Sequence, residues 1–251
     1  MVDWSVSQGH LVRCHNLIWH NGLPEWLSSG NWTREELLDI MEEHIEKVVT
    51  HYRGRCYAWD VVNEVLDHET GDLRSTLWLD TIGEEYIDIA FELAAKYDPE
   101  AKLYYNDYGI ESKNEKSLAA TELVRQLKSR GVKVDGVGLQ AHFPVILAPT
   151  YDEQVENLGR FGELGVDVAY TELDVFIDMP NDPRKRRFRP IFLRTQSRHA
   201  WTPKHVLALR CGDSMMASLG CGREFLASET HISGGLITLK NHPTLPSKKS
   251  C

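Results

Sequence analysis

The chain has 251 residues, 42% of them hydrophobic, and a formal net charge of −9. That length suits one large domain with a sizeable core or two small ones, and the acidic balance argues against nucleic acid as the main partner. No run of about eighteen apolar residues is present, which removes a helical membrane span, and MVDWSVSQGHLVR lacks the basic-then-apolar order of a signal peptide. Short apolar runs predict strands at Leu11–Trp19, Tyr57–Val62, Lys102–Tyr105, Val134–Leu139 and Val166–Leu173. Gly136 and Gly138 interrupt the fourth, and glycine inside a strand weakens it.

Helical patterns lie between these runs. Thr33 and Glu36 form a capping-box signature, after which Leu37, Leu38, Met41, Ile45, Val48 and Val49 recur at helical spacing. Glu84 to Tyr97, stopped by Pro99, repeats the pattern. Leu118 to Leu127 closes on Gly131, and Tyr151 to Leu164 on Gly165. Strand–helix alternation with near-continuous apolar strands indicates a parallel α/β sheet.

The polar residues then choose between a doubly wound sheet and a barrel. No Gly-rich loop follows the first strand, as a doubly wound nucleotide fold would require. Instead each strand ends in its own polar groups: His15 and His20 around Trp19; Asn63-Glu64; Asn106-Asp107; Gln140 and His142; Glu172 and Asp174. Side chains converging from many strand ends suit the active face of a (β/α)₈ TIM barrel, which is the expected fold. Such a barrel takes about 250 residues for eight strands. Here some 180 residues supply only five, so the barrel is expected to be incomplete.

Glu64 and Glu172 are the glutamates that follow directly on apolar strands. A single one reads equally well as a solvated residue just past its strand. Two of them, three strands apart around a barrel, aim across its mouth and could stand ~5 Å apart, the spacing of a retaining glycosidase. One would be the nucleophile, and the other, with raised pKa, the acid/base. Asn63 would then bond a sugar hydroxyl beside the reacting carbon. Trp19 reads equally well as core or as a sugar platform. His15, His20 and His142 do not follow a metal-ligand spacing. His142 reads better as a donor that keeps Glu172 ionised, so neither metal nor cofactor is expected.

At LVRCHNLIWHNGLPEWL, HYRGRCYAWDVVNEVL, TIGEEYIDIAFELAAKYDPEAKLYYNDYGIE, GVKVDGVGLQAHF and AYTELDV the chain resembles glycoside hydrolase family 10, the endo-1,4-β-xylanases, most of all the fungal ones. The resemblance covers about Leu11 to Asp178 and implies that the recognisable strands are the third to seventh of the family barrel. It implies Glu64 as acid/base and Glu172 as nucleophile in a double displacement on internal bonds of xylan. His15, Trp19, Asn63, Gln140 and His142 fall on substrate-holding positions, and Asn106 and Tyr108 fall in the family's fifth-strand motif. The implied partner is xylan or xylo-oligosaccharide, handled by an extracellular monomer without membrane or nucleic acid. The alternatives are an inactive or merely sugar-binding remnant, or a related β-glucanase. The sequon Asn31-Trp32-Thr33 leans towards secretion.

Two regions depart from the family pattern. The family's first two strands are missing, and the segment after about Phe188 does not read as its last helix and eighth strand. From Pro183 on, the chain holds thirteen of the 28 Lys and Arg but only three of the 37 Asp and Glu. A one-base shift of frame lets codons for the run from Arg210 read V-W-G-F-D-D-G-F-S-W, similar to the family's eighth strand. The same shift lets His199 to Val206 read K-A-C-L-D-T-x-T-C-V. The expected organisation is therefore a partial catalytic domain over 1–182 and an aberrant basic tail over 183–251, out of frame or disordered. With three strands lost, open sheet edges and poor solubility are expected. Five cysteines, at 14, 56, 211, 221 and 251, leave at least one unpaired in a monomer, and their pairing stays open.

Overall fold

A computed structural model describes residues 2–144, 148–176 and, for the backbone alone, 237–240. Five parallel strands form its centre: β1 (His10–Ile18), β2 (Cys56–Asn63), β3 (Lys102–Asp107), β4 (Gly136–Leu139) and β6 (Asp167–Tyr170). They pair in the order β6-β4-β3-β2-β1, and between them run the helices α3 (Arg34–Tyr52), α5 (Tyr86–Tyr97), α6 (Glu115–Ser129) and α7 (Tyr151–Gly162). This is an incomplete (β/α)₈ barrel, with its five strands where the apolar runs predicted them. Shorter pieces complete the described fold: α1 (Val2–Ser7), α2 (Glu25–Ser28), α4 (Leu77–Ile82), and the two-stranded parallel pair β5 (His142–Pro144) and β7 (Asp174–Phe176). Of the basic segment 183–251, the described residues include only β8 (Ile237–Lys240), antiparallel to β1 on its free edge. The rest of that segment, and with it the expected boundary at 182, lies outside the described residues.

Sequence accounts for the helices locally. Thr33 accepts from the amide of Glu36, while the Glu36 carboxylate accepts from the Thr33 amide, so the expected capping box starts α3. Asn114 with Ser117 and Thr150 with Glu153 cap α6 and α7 in the same reciprocal way. Leu37, Met41, Ile45 and Val49 of α3 are fully buried, as are Ala90, Phe91 and Ala94 of α5. These stripes cover the outer face of the sheet, burying apolar area at roughly 25 cal/mol per Å².

The inner face is unusually polar. Arg13 and Asp60 project from β1 and β2 and pair there, and the Arg13 guanidinium lies 4.0 Å from the Tyr104 ring centre. The two glycines of β4 have a steric reason at this point. A Cβ on Gly136 would come within 2.1 Å of the Tyr104 ring, and one on Gly138 within 2.2 Å of Asn106 Oδ1 and 2.9 Å of Arg13 Nη2. Large side chains from β1 and β3 fill the space that β4 leaves empty. A disulfide joins Cys14 to Cys56, tying β1 to its neighbour β2; the strand register, invisible in the sequence, brings the two together.

Candidate active site

The site stands at the C-terminal ends of these strands. β2 and β3 align Asn63 with Asn106, and β3 and β4 align Asn106 with Gly138. Glu64 is the first residue beyond β2. Its amide donates to the carbonyl of Asn106 at 2.9 Å, and its φ of 57° places it in the left-handed region. That region is costly for a residue with a Cβ and persists where surrounding contacts impose it. Arg74 contributes such contacts: Nε donates to the Glu64 carbonyl at 3.3 Å, while Nη2 donates to the Leu66 carbonyl and the Tyr108 hydroxyl.

Three amides lie between the glutamates. Gln140 Nε2 donates to Glu64 Oε1 at 3.0 Å and to Asn63 Oδ1 at 3.3 Å. Asn63 Nδ2 donates to Glu64 Oε1 at 3.3 Å. Asn106 Nδ2 donates to Asn63 Oδ1 at 2.9 Å and to Glu172 Oε1 at 3.1 Å. Glu172, two residues beyond β6, is further fixed by its own amide, which donates to the Gln140 carbonyl at 3.1 Å. Thr171 donates to Asn106 Oδ1 and so sets the orientation of that amide.

The partners of the two carboxylates differ in kind. His142 Nε2 lies 3.4 Å from Glu172 Oε2, while its Nδ1 lies 3.0 Å from Asp174 Oδ2, its cross-strand neighbour. The bond to Glu172 outweighs partial burial, and with Asp174 it raises the His142 pKa to about 9. Burial pushes Glu172 upward, but His142, the charge of His15 and the Asn106 amide together hold it below the ordinary carboxylate range. His15 Nδ1 lies 3.0 Å from Asp60 Oδ2. Burial works against its charge, yet Asp60 and Glu172 raise its pKa. Glu64 Oε1, by contrast, accepts from the neutral amides of Asn63 and Gln140.

The His142–Glu172 pair sets a pH window. The raised pKa of His142 contributes stability that is complete below about 6.5 and lost as pH rises through about 9. The lowered pKa of Glu172 contributes stability present above about 4.5 and lost in acid. His142→Ala should therefore flatten the fall in melting temperature between pH 6.5 and 9, measured by thermal melts. An unchanged slope would show that this imidazole is not held by Glu172.

Each sequence-predicted residue has a place. Trp19 is half buried, with its ring 6.4 Å from that of His15 and its indole nitrogen 3.2 Å from the Asn63 side-chain amide. It borders the site instead of filling the core. Tyr108 stands at the rim, stacked on His68 at 5.5 Å and capped by Lys116 Nζ at 3.7 Å from its ring centre. Its hydroxyl accepts from Arg74 Nη2 at 2.9 Å, so it joins the Glu64 side of the site. His20 lies beside Trp19, its pKa lowered first by burial and then by the charge of Arg74. Among the described residues, no three His, Cys, Asp or Glu gather as a metal site.

Sequence reading missed Asp60, Arg74 and Glu111 as supports of the site. Asp60 carried one signal, a charge inside the apolar run Tyr57–Val62. Such a charge is expected only where a partner waits across the sheet.

Known proteins match most of the length of this chain. The family model described as "Glycosyl hydrolase family 10" matches residues 1–204. Endo-1,4-beta-xylanase D of Talaromyces funiculosus is 50% identical over 175 residues, 70% of this chain and 43% of that protein. Endo-1,4-beta-xylanase B of Thermotoga neapolitana is 43% identical over 173 residues, 69% of this chain and 49% of that one. The chain thus spans about half the length of these relatives. Among solved structures, a xylanase of this family from Bispora sp. MEY-1 with xylobiose aligns at a TM-score of 0.81 and 35% identity, covering 95% of this chain and 72% of that one. Xylanase 10B of Thermotoga petrophila RKU-1, also with xylobiose, aligns at 0.73 and 39%, covering 76% and 59%. Parallel strands, polar strand ends and a family match over most of its length lead to one assignment: the chain belongs to glycosyl hydrolase family 10.

Proposed function

We propose that the protein is an endo-1,4-β-xylanase that cleaves internal xylosidic bonds with retention of configuration. One observation carries this reading: two strand-end glutamates are bridged by three amides yet hold unlike partners. Glu172, held ionised by His142 and His15, suits the nucleophile that attacks the anomeric carbon. Glu64, contacted by neutral amides, suits the acid that protonates the leaving oxygen and then, as base, activates water. Asn63, Asn106 and Gln140 would hold the substrate hydroxyls and the carboxylates together, while Trp19, His15 and Tyr108 line the sugar path.

The chemistry requires no metal or organic cofactor, since two carboxylates suffice for both displacements. Xylan and xylo-oligosaccharides are the proposed partners of an extracellular monomer, and the sequon Asn31-Trp32-Thr33 is in keeping with secretion. No helix among the described residues is long and apolar enough to cross a membrane.

The test is reducing-sugar release from xylan and from carboxymethylcellulose by the 251-residue chain, with product anomers followed by proton NMR. Release from xylan with the β-anomer appearing first is expected. Preference for carboxymethylcellulose would assign a β-glucanase, an initial α-anomer would remove the double displacement, and binding without hydrolysis would identify a sugar-binding remnant.

A further inference from the structure

Glu111 takes no part in the chemistry above, yet its position is difficult to explain as packing. Its side chain is buried, with the residue 4% exposed, and Oε1 accepts from the amide of Ala141 at 2.7 Å. Ala141 has a φ of 63°, a conformation that its Cβ disfavours. It joins β4, which ends at Leu139, to β5, which begins at His142, and its carbonyl accepts from the Asp174 amide at 3.2 Å. The residue before it, Gln140, donates to Glu64. The residue after it, His142, meets Glu172.

We propose that Glu111 is a positioning residue whose carboxylate, through the Ala141 amide, fixes the left-handed turn that aims Gln140 at Glu64 and His142 at Glu172. This deepens the glycosidase reading and rests on it for the roles of Glu64 and Glu172. A buried carboxyl is costly unless hydrogen-bonded, so its presence under a strained turn calls for a task that an apolar side chain could not perform. The alternative for Ala141 is a relaxed backbone. That would swing the two side chains flanking it, and displacements near 1 Å at a reacting centre cost about a hundredfold.

Glu111 also reports its own state. Burial pushes its pKa up to about 7 against the opposing Ala141 bond, with Asp107 of β3 adding to the rise and His142 of β5 opposing it. Asp107 is itself paired with Lys116 of α6, and Tyr170 of β6 feels the Glu111 charge in turn. His142 titrates near 9, so the two steps are separable.

The experiment is a pH titration of the ¹⁵N-labelled full chain by NMR, with wild type, Glu111→Gln and Glu111→Ala. In wild type the Ala141 amide should move with a midpoint near 7. Glu111→Gln should abolish that step. Glu111→Ala should shift the Gln140, Ala141 and His142 amides and bring the His142 pKa down towards its ordinary range. On an aryl β-xylobioside, Glu111→Ala should lower kcat about tenfold or more with KM within about threefold, and Glu111→Gln should recover most of the loss. Should Glu111→Ala not fold, the glutamine variant alone carries the test. An Ala141 step near 7 that survives Glu111→Gln, or Gln140 and His142 resonances indifferent to Glu111→Ala, would overturn the proposal. A wild-type chain that hydrolyses no xylan sinks the glycosidase reading instead, and the titration still decides the role of Glu111.

Discussion

Glu172→Ala is expected to lower xylan hydrolysis on the order of 10⁵-fold, the scale on which loss of a covalent nucleophile is felt in other hydrolases. No neighbour can replace it. His142, with its pKa raised to about 9, is protonated at neutral pH, His15 is bound to Asp60, and Asn106 and Asn63 are amides without nucleophilic character. Glu64→Ala should behave differently, losing about 10²- to 10⁴-fold on xylan but much less on a substrate with an activated aryl leaving group, which needs no proton. Azide separates the roles further. In the space left by Glu172 it attacks from the nucleophile's face and gives the inverted α-glycosyl azide. In the space left by Glu64 it attacks the covalent intermediate from the opposite face and gives the β-product. Equal sensitivity of both variants to the leaving group, or more than a tenth of wild-type activity in Glu172→Ala, would reverse or remove the assignment.

The two carboxylates were legible in the sequence because each follows an apolar run without a turn residue between. Five strands could be placed for the same reason, and α3 because Thr33 and Glu36 mark its start. What escaped depends on register. Arg13 and Asp60 lie 47 residues apart in sequence, and each merely interrupts an apolar run until β1 and β2 pair. Cys14 and Cys56 are joined by the same pairing. Gly136 and Gly138 read as weak points of a strand, whereas the structure uses them as room for Tyr104, Asn106 and Arg13. Arg74 sits ten residues past Glu64 in a segment without periodicity, and nothing local indicates that it returns to hold the Glu64 carbonyl. Open sheet edges were expected, and β8, from the segment expected to be out of frame or disordered, pairs with β1 on the side away from β2.

Arg13→Ala should destabilise the fold by about 3–5 kcal/mol, because it strands a buried carboxylate. The Arg13 side chain is 0% exposed and that of Asp60 2%. Burial opposes the charge of both, and each is kept ionised by the other, with His15 adding to the hold on Asp60. Loss of the guanidinium also empties the space between Tyr104 and Gly138, so a cavity forms where the charge was. For a chain of this size the fall in melting temperature is about 6–20 °C. The depressed pKa of Asp60 means that its contribution is present above about 3.8 and lost in acid. The difference between wild type and Arg13→Ala should therefore shrink as pH falls towards 4, where the stranded carboxylate can take a proton. Asp60→Ala alone leaves a buried cation and should be equally damaging, whereas the double variant removes both charges and should cost less than the sum by about 2 kcal/mol or more. Additive losses in that cycle would mean that Arg13 acts by volume alone. A positive coupling also bears on the reaction, since Asp60 is shared between Arg13 and His15. Freed from Arg13, its charge should bind the imidazolium of His15 more tightly and raise the pKa of a group that faces Glu172.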